Sequence, residues 1–160
     1  MSNKRGYPSQ PLLCWDIYMD GYQKMMRKGE DLQQIKKLSK KQNWKASTWN
    51  LEEQLLKKEK VVLVTDTAQI IQFASSNLKE MNGYEPREVK GKSPKIFQGP
   101  LTGDKERLLI REAVRQQIPF KTVVINYRKD GSLYHCHVEE YPVWNCEGKL
   151  VNFIAFEKIA

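Results

Sequence analysis

The hydrophobic period of this chain changes near residue 61. Upstream, Leu12, Trp15, Met19, Tyr22 and Met26 recur at steps of three and four, which is one apolar stripe of an amphipathic helix. Gly29 follows Arg27 and Lys28, cations suited to a helix C-terminus, so the pattern predicts a stop there. A second stripe, Leu32, Ile35 and Leu38, begins behind Glu30 and Asp31. Asn50 is a good N-cap for a third helix that carries Leu51, Leu55 and Leu56 and ends in Lys57, Lys58 and Lys60. Three stripes this narrow bury little by themselves. They must pack on one another, on the rest of the chain, or on another chain.

From Val61 the pattern is that of strands. Val61–Asp66 is a short β-branched run, and Gln69–Ala74 is a second, joined closely enough to predict a hairpin. Ser75 or Ser76 is the expected cap of a short helix, Asn77–Met81, closed by Gly83. Residues 85–103 hold three of the chain's nine glycines and three of its seven prolines, so they predict loop with single helical turns. Thr102 opens a helix to about Gln116, with Leu108, Leu109, Ala113 and Val114 toward the core. Three longer strands follow, Phe120–Arg128, Leu133–Trp144 and Leu150–Lys158, joined by the turns Lys129-Asp130-Gly131-Ser132 and Asn145-Cys146-Glu147-Gly148. The order β-β-α-α-α-β-β-β predicts an α+β domain, an antiparallel sheet with helices massed on one face. The organisation read from this is a basic helical N-terminal extension, 1–60, and a domain, 61–160.

Composition narrows the class. The chain has 160 residues, 40% hydrophobic and 29% charged, which excludes a wholly disordered chain. It has no apolar run long enough to span a membrane and no signal-peptide pattern. Cys14, Cys136 and Cys146 are odd in number and widely spaced, which fits a reducing, cytoplasmic setting. The net charge of +8 divides as +6 on residues 1–60 and +2 on the remainder. That excess, with Lys36, Lys37, Lys40 and Lys41 at its centre, raises nucleic acid as an alternative partner. No helix-turn-helix pattern accompanies it, and Glu30, Asp31, Glu52 and Glu53 flank the cluster. His135 and His137 share one side of a strand, but no third ligand stands at metal-like spacing. No nucleophile with a placed base and no phosphate-binding glycine loop is present.

Residues 61–159 resemble the PAS family of sensor domains. Asn77…Met81-Asn82-Gly83-Tyr84-Glu85-Pro86-Arg87-Glu88-Val89-Lys90-Gly91-Lys92 is similar to the PAS core helices. Gly91-Lys92-Ser93-Pro94-Lys95-Ile96-Phe97-Gln98-Gly99-Pro100 resembles the flavin-binding LOV branch, in which the run reads Gly-Arg-Asn-Cys-Arg-Phe-Leu-Gln-Gly-Pro. Asn126-Tyr127-Arg128-Lys129-Asp130-Gly131 is like that family's Asn-Tyr turn. The resemblance implies a five-stranded antiparallel sheet and a ligand pocket.

Carried over residue by residue, the implied pocket is Ser93, Lys95, Gln98, Arg111, Asn126, Cys136 and Glu157. Gln98, Arg111 and Asn126 match the pattern. Lys95 replaces a phosphate-pairing Arg and keeps the charge without the fork. Ser93 and Cys136 replace Asn, and Glu157 replaces the Gln that reads flavin redox state. Pro94 replaces the photochemical Cys. Strand parity puts Tyr134, Cys136 and Val138 on one face and Val151, Phe153, Ala155 and Glu157 on one face of the last strand. A Glu157 facing that pocket lies at its rim or needs a buried partner, for which Lys95 and Arg111 are candidates. The cofactor is open; flavin mononucleotide (FMN) is one candidate, and no photo-adduct is expected.

The resulting expectation is a non-enzymatic sensory module, acting through a homodimer or a protein partner. The chain stops at the domain's last strand, so no kinase or cyclase is expected to follow. The expected dimer surfaces are the stripe Leu12, Trp15, Met19, Tyr22 and Met26, covering its own or the other sheet, and the exposed sheet face with His135, His137 and Tyr141.

Overall fold

A computed structural model describes residues 10–160, with side chains from Cys14 onward, so Leu12 of the first stripe lies outside the described side chains. Five strands, β1 (Val61–Thr65), β2 (Ile71–Ala74), β3 (Phe120–Tyr127), β4 (Leu133–Trp144) and β5 (Leu150–Ile159), form one antiparallel sheet in the order β2-β1-β5-β4-β3. Asp66 closes the first hairpin, its Oδ1 accepting from the N–H of Ala68 at 2.9 Å and of Ile70 at 3.0 Å. The turn after Arg128 works because Gly131 takes φ 86°, which costs a glycine nothing. β1 is buried along its whole length, because the sheet is covered on both faces.

The inner face carries the expected helices, α2 (Leu78–Asn82), α3 (Pro86–Val89), a 3-10 turn (Pro94–Phe97) and α4 (Asp104–Gln116). Gly83 closes α2 at φ 82°. The expected serine cap is not made. Ser75 Oγ accepts from the N–H of Val62 at 2.8 Å instead, and Ser76 is held by Asp31. On α4 the core side is Ile110 and Ala113; Leu108 and Leu109 point to solvent, because the helix docks through the next turn of its surface.

The largest departure lies upstream. Gly29 does not end a helix: α1 (Gln10–Lys41) runs through it as one element. A helical glycine costs about 1 kcal/mol relative to alanine. Here the following turns are anchored strongly enough to offset it. Ile35 and Asp31 are buried, Leu32 and Leu38 pack on the outer sheet face, and Lys28 pairs with Glu59 at 2.6 Å. Asn50 caps the third segment as expected, accepting from the N–H of Glu53 at 3.0 Å. That segment is a π-helical turn (Glu53–Lys57) whose Leu55 is fully buried. Together Ile35, Leu55, Val62, Val64, Phe73, Val143, Ile154 and Phe156 make an outer core.

Continuity of α1 also fixes the first stripe. Met26 lies nine residues from Ile35, which at 3.6 residues per turn is about 180° around the helix. Trp15, Met19 and Tyr22 fall within roughly 40° of the same side. The stripe therefore faces away from its own sheet, with Trp15 63%, Tyr22 47% and Met26 49% exposed. It does not cover that sheet, and the second stripe does. Tyr141, expected on an open sheet face, packs against Phe156 within the outer core, while His135 stays exposed and His137 is half-buried. No described helix is long and apolar enough to cross a membrane.

Candidate functional site

The inner sheet face and the helices over it enclose a cavity of about 420 Å³. The 3-10 turn and α4 form one wall with Ser93, Pro94, Lys95, Gln98, Arg107 and Arg111. The sheet forms the other with Val124, Asn126, Val138, Glu140 and Glu157. Six of the seven sequence-assigned residues therefore meet at one cavity: Ser93, Lys95, Gln98, Arg111, Asn126 and Glu157.

The wall over the sheet is held by the Gln98-Gly99-Pro100 motif. Gly99 packs directly on the Tyr127 ring; a Cβ there would meet Cδ2 at 2.7 Å and Cζ at 2.8 Å. The Tyr127 hydroxyl accepts from the N–H of Leu101 at 3.0 Å. Thr102 Oγ1 accepts from the N–H of Gly99 at 3.0 Å and donates to the Ile125 carbonyl at 2.6 Å. Arg107 Nη2 donates to the Gly99 carbonyl at 2.6 Å. The two sequence motifs are thus one packing unit, glycine against tyrosine ring. On the turn itself, Ser93 Oγ accepts from the N–H of Lys95 at 3.4 Å.

Cys136 departs from its expected place. It is fully buried in the inner core and does not line the cavity; its thiol donates to Glu157 Oε2 at 3.6 Å. Burial pushes that thiol well above its ordinary range, with the Glu157 charge adding to the effect. Neither Lys95 nor Arg111 pairs with Glu157 among the described residues; Cys136 is its partner. Glu157 is buried, 5% exposed, and burial pushes its carboxyl up to about 7.

Three polar wall residues escaped the sequence reading: Gln69, Arg107 and Glu140. Glu140 was accessible by parity, since it continues the Tyr134, Cys136, Val138 face of β4. Register places Glu157 opposite Val138 and Glu140 opposite Ala155, so the two carboxyls are diagonal neighbours on one face. Glu140 is 8% exposed, and burial, reinforced by the Glu157 charge, pushes it up to about 8. Arg107 precedes Arg111 by one helical turn. Gln69, in the tight turn at φ 61°, had no sequence signal.

Comparison with known proteins agrees with this architecture. The model of the PAS domain family matches residues 58–158. The chain is 39% identical over 88 residues to Protein TWIN LOV 1 of Arabidopsis thaliana and 36% identical over 85 residues to Phototropin-2 of Oryza sativa subsp. japonica. These matches take in 54% and 53% of this chain but only 22% and 9% of those proteins. A solved light-oxygen-voltage domain, studied with a flavin analogue, superposes with a TM-score of 0.64 at 25% identity, covering 71% of this chain and 86% of that one. The PAS domain of the fruit-fly ELK potassium channel superposes with a TM-score of 0.62 at 19% identity, covering 68% and 93%. The five-stranded sheet with its helices superposes on solved domains of this kind and the family model takes in more than half of the chain, so the chain belongs to the PAS family of sensory signalling domains.

Proposed function

We propose that this chain is a non-enzymatic sensor that works by assembly: ligand occupancy of the inner cavity is coupled to pairing of two copies through α1. The observation that carries the reading is the division of α1 into two unlike halves. Its C-terminal half is built into the outer core through Ile35, Leu32 and Leu38. Its N-terminal half overhangs the domain with Trp15, Tyr18, Tyr22, Met25 and Met26 exposed, and Trp15 stacks on Tyr18 at 6.0 Å. Exposed aromatic and methionine side chains on one helix suit helix-to-helix docking of a second copy.

The cavity and the helix also lie close to each other. Glu157, on the cavity wall, borders a cleft lined by Lys24, Arg27 and Lys28 of α1. A change of charge at Glu157 is therefore felt on both sides. Similarity to a phototropin and to blue-light-activated histidine kinases supports a sensory role for this domain.

Sedimentation of the full chain tests the reading. Dimers are expected at micromolar concentration, and the triple change Trp15→Glu, Tyr22→Glu, Met26→Glu should give folded monomers. A wild-type chain that is monomeric at all concentrations overturns it. Removing α1 outright is the wrong test, because it would uncover Val62, Ile154 and Phe156.

A further inference from the structure

The polar atoms on the cavity wall describe a ligand, and it is not the one the LOV resemblance implies. Seven buried side-chain nitrogen or oxygen atoms among the described residues have no hydrogen-bond partner. Four of them line this one cavity: Glu140 Oε1 and Asn126 Oδ1, which accept, and Arg107 Nε and Gln69 Nε2, which donate. Asn126 and Glu140 are 5% and 8% exposed. Buried polar groups in folded proteins are almost always partnered, so a concentration of unpartnered ones on a single cavity marks the groups a ligand satisfies.

Their layout is polarised. Glu140 and its diagonal neighbour Glu157 stand at one end of the sheet wall. Asn126, opposite Tyr134, lies six residues further back along β4, roughly 20 Å of strand. The facing wall carries the cations Lys95, Arg107 and Arg111. An oxidised flavin ring presents four acceptors, N1, O2, O4 and N5, and one donor, N3–H, along its polar edge. Lys95, Arg107 and Arg111 fit the phosphate of FMN, but two carboxyls in their ionised form, with no amide beside them to donate, do not fit a carbonyl edge.

We propose that the Glu140–Glu157 end of the cavity binds the cationic nitrogen head of a small molecule, an amine, amidine or guanidine, and that Arg107 with Lys95 and Arg111 receives an acidic group at its other end. A guanidinium offers several N–H donors in one plane, enough to reach the free Glu140 oxygen and Glu157 together. An acid tail answers the unpaired Arg107 Nε. The proposal deepens the sensory reading by naming the ligand class of the same cavity, and it rests on that reading for its signalling consequence only.

Thermal shift and calorimetry on the full chain test it with three probes: 4-guanidinobutyrate, which has head and tail; agmatine, which has a guanidinium but no acid; and FMN. At pH 8 the expected order of affinity is 4-guanidinobutyrate, then agmatine, with FMN weakest. Glu140→Gln should weaken both guanidine probes at least tenfold, and Arg107→Gln should weaken 4-guanidinobutyrate but not agmatine. FMN binding more tightly than both guanidine probes overturns the proposal, as does an absence of any shift with millimolar guanidine probes. So does equal guanidine binding by wild type and a folded Glu140→Gln. Circular dichroism confirms that each variant is folded, and Arg107→Gln leaves the carboxyl pair intact should Glu140→Gln not fold. Sedimentation of the same samples separates the two readings: a dimer that ignores every guanidine probe overturns the ligand class alone, and a monomer that binds 4-guanidinobutyrate overturns the assembly alone.

Discussion

The carboxylate of Asp31, on α1, receives two hydrogen bonds from Ser76, one from its backbone N–H at 2.8 Å and one from its hydroxyl at 2.7 Å. Ser76 begins the turn into α2, so this contact ties the N-terminal helix to the helices over the opposite face. Burial raises the Asp31 carboxyl above its usual range even though both bonds favour its charged form. Replacing Asp31 by Ala leaves the Ser76 donors unpartnered and should cost about 1–3 kcal/mol. Asp31→Asn keeps an acceptor oxygen and should cost less. Urea denaturation gives the order, and hydrogen exchange should show faster opening of α1 beyond Gly29 in the Ala variant. Equal stability of all three proteins would remove this contact as the anchor.

The buried carboxyl pair predicts an unusual pH dependence. Glu140 is pushed up to about 8 and Glu157 to about 7, whereas an ordinary glutamate titrates near 4.5. Between those values the folded chain binds more protons than the unfolded one, so stability falls as pH rises. The contribution is complete below pH 4.5 and is lost as pH passes through 7 to 8. At 1.36 kcal/mol per unit, the loss is on the order of 3 kcal/mol for Glu157 alone. Glu157→Gln should flatten the slope across this window and should be more stable than wild type at pH 8. Denaturation midpoints at half-unit pH steps measure it; a wild-type chain that gains stability from pH 5 to 8 contradicts it.

Gly99 is required by contact rather than by turn geometry, since its neighbour is the Tyr127 ring. Gly99→Ala forces the ring or the loop to move and should destabilise by about 1–3 kcal/mol. The hydrogen bond from Leu101 to the Tyr127 hydroxyl resists that movement. Tyr127→Phe loses only the hydroxyl. Adding Tyr127→Ala to Gly99→Ala should restore part of the deficit relative to the sum of the single changes, as a double-mutant cycle would show.

Light should have no covalent effect on this chain. Pro94 occupies the position of the photochemical thiol in the resembling pattern and lines the cavity without one. Cys136, the nearest buried thiol to that wall, is engaged with Glu157. The chain mixed with FMN and irradiated with blue light should form no adduct absorbing in the near ultraviolet. Bleaching that recovers in the dark, and that is lost in Cys136→Ala, would contradict this.

Period-two alternation placed β3 and β4, and apolar, β-branched runs bounded by turn residues placed β1, β2 and β5, all to within two residues, because a half-buried strand must alternate while one covered on both faces is apolar throughout. The PAS motifs located one wall of the cavity for the same kind of reason: Gly99 and Tyr127 are fixed by direct contact, and their residue types are legible. Glu140 could have been read from parity alone; Gln69 could not, since its place depends on how the first hairpin folds back.

The course of α1 was decided only by tertiary structure. Local chemistry at Arg27, Lys28 and Gly29 describes a helix end, and an isolated segment of that sequence has every reason to fray there. What carries the helix onward is distant: Ser76 holding Asp31, Glu59 pairing with Lys28, and Ile35 seated on the outer core. Those contacts exist only once the sheet has formed. They also rotate Trp15, Tyr22 and Met26 to the solvent side, because a continuous helix has a fixed 3.6-residue period and no freedom to turn its first half inward. The sequence by itself determined which side chains form each stripe. The stripe that would meet the sheet, and the one left for another molecule, depended on whether a single glycine costing about 1 kcal/mol was outweighed by burial elsewhere.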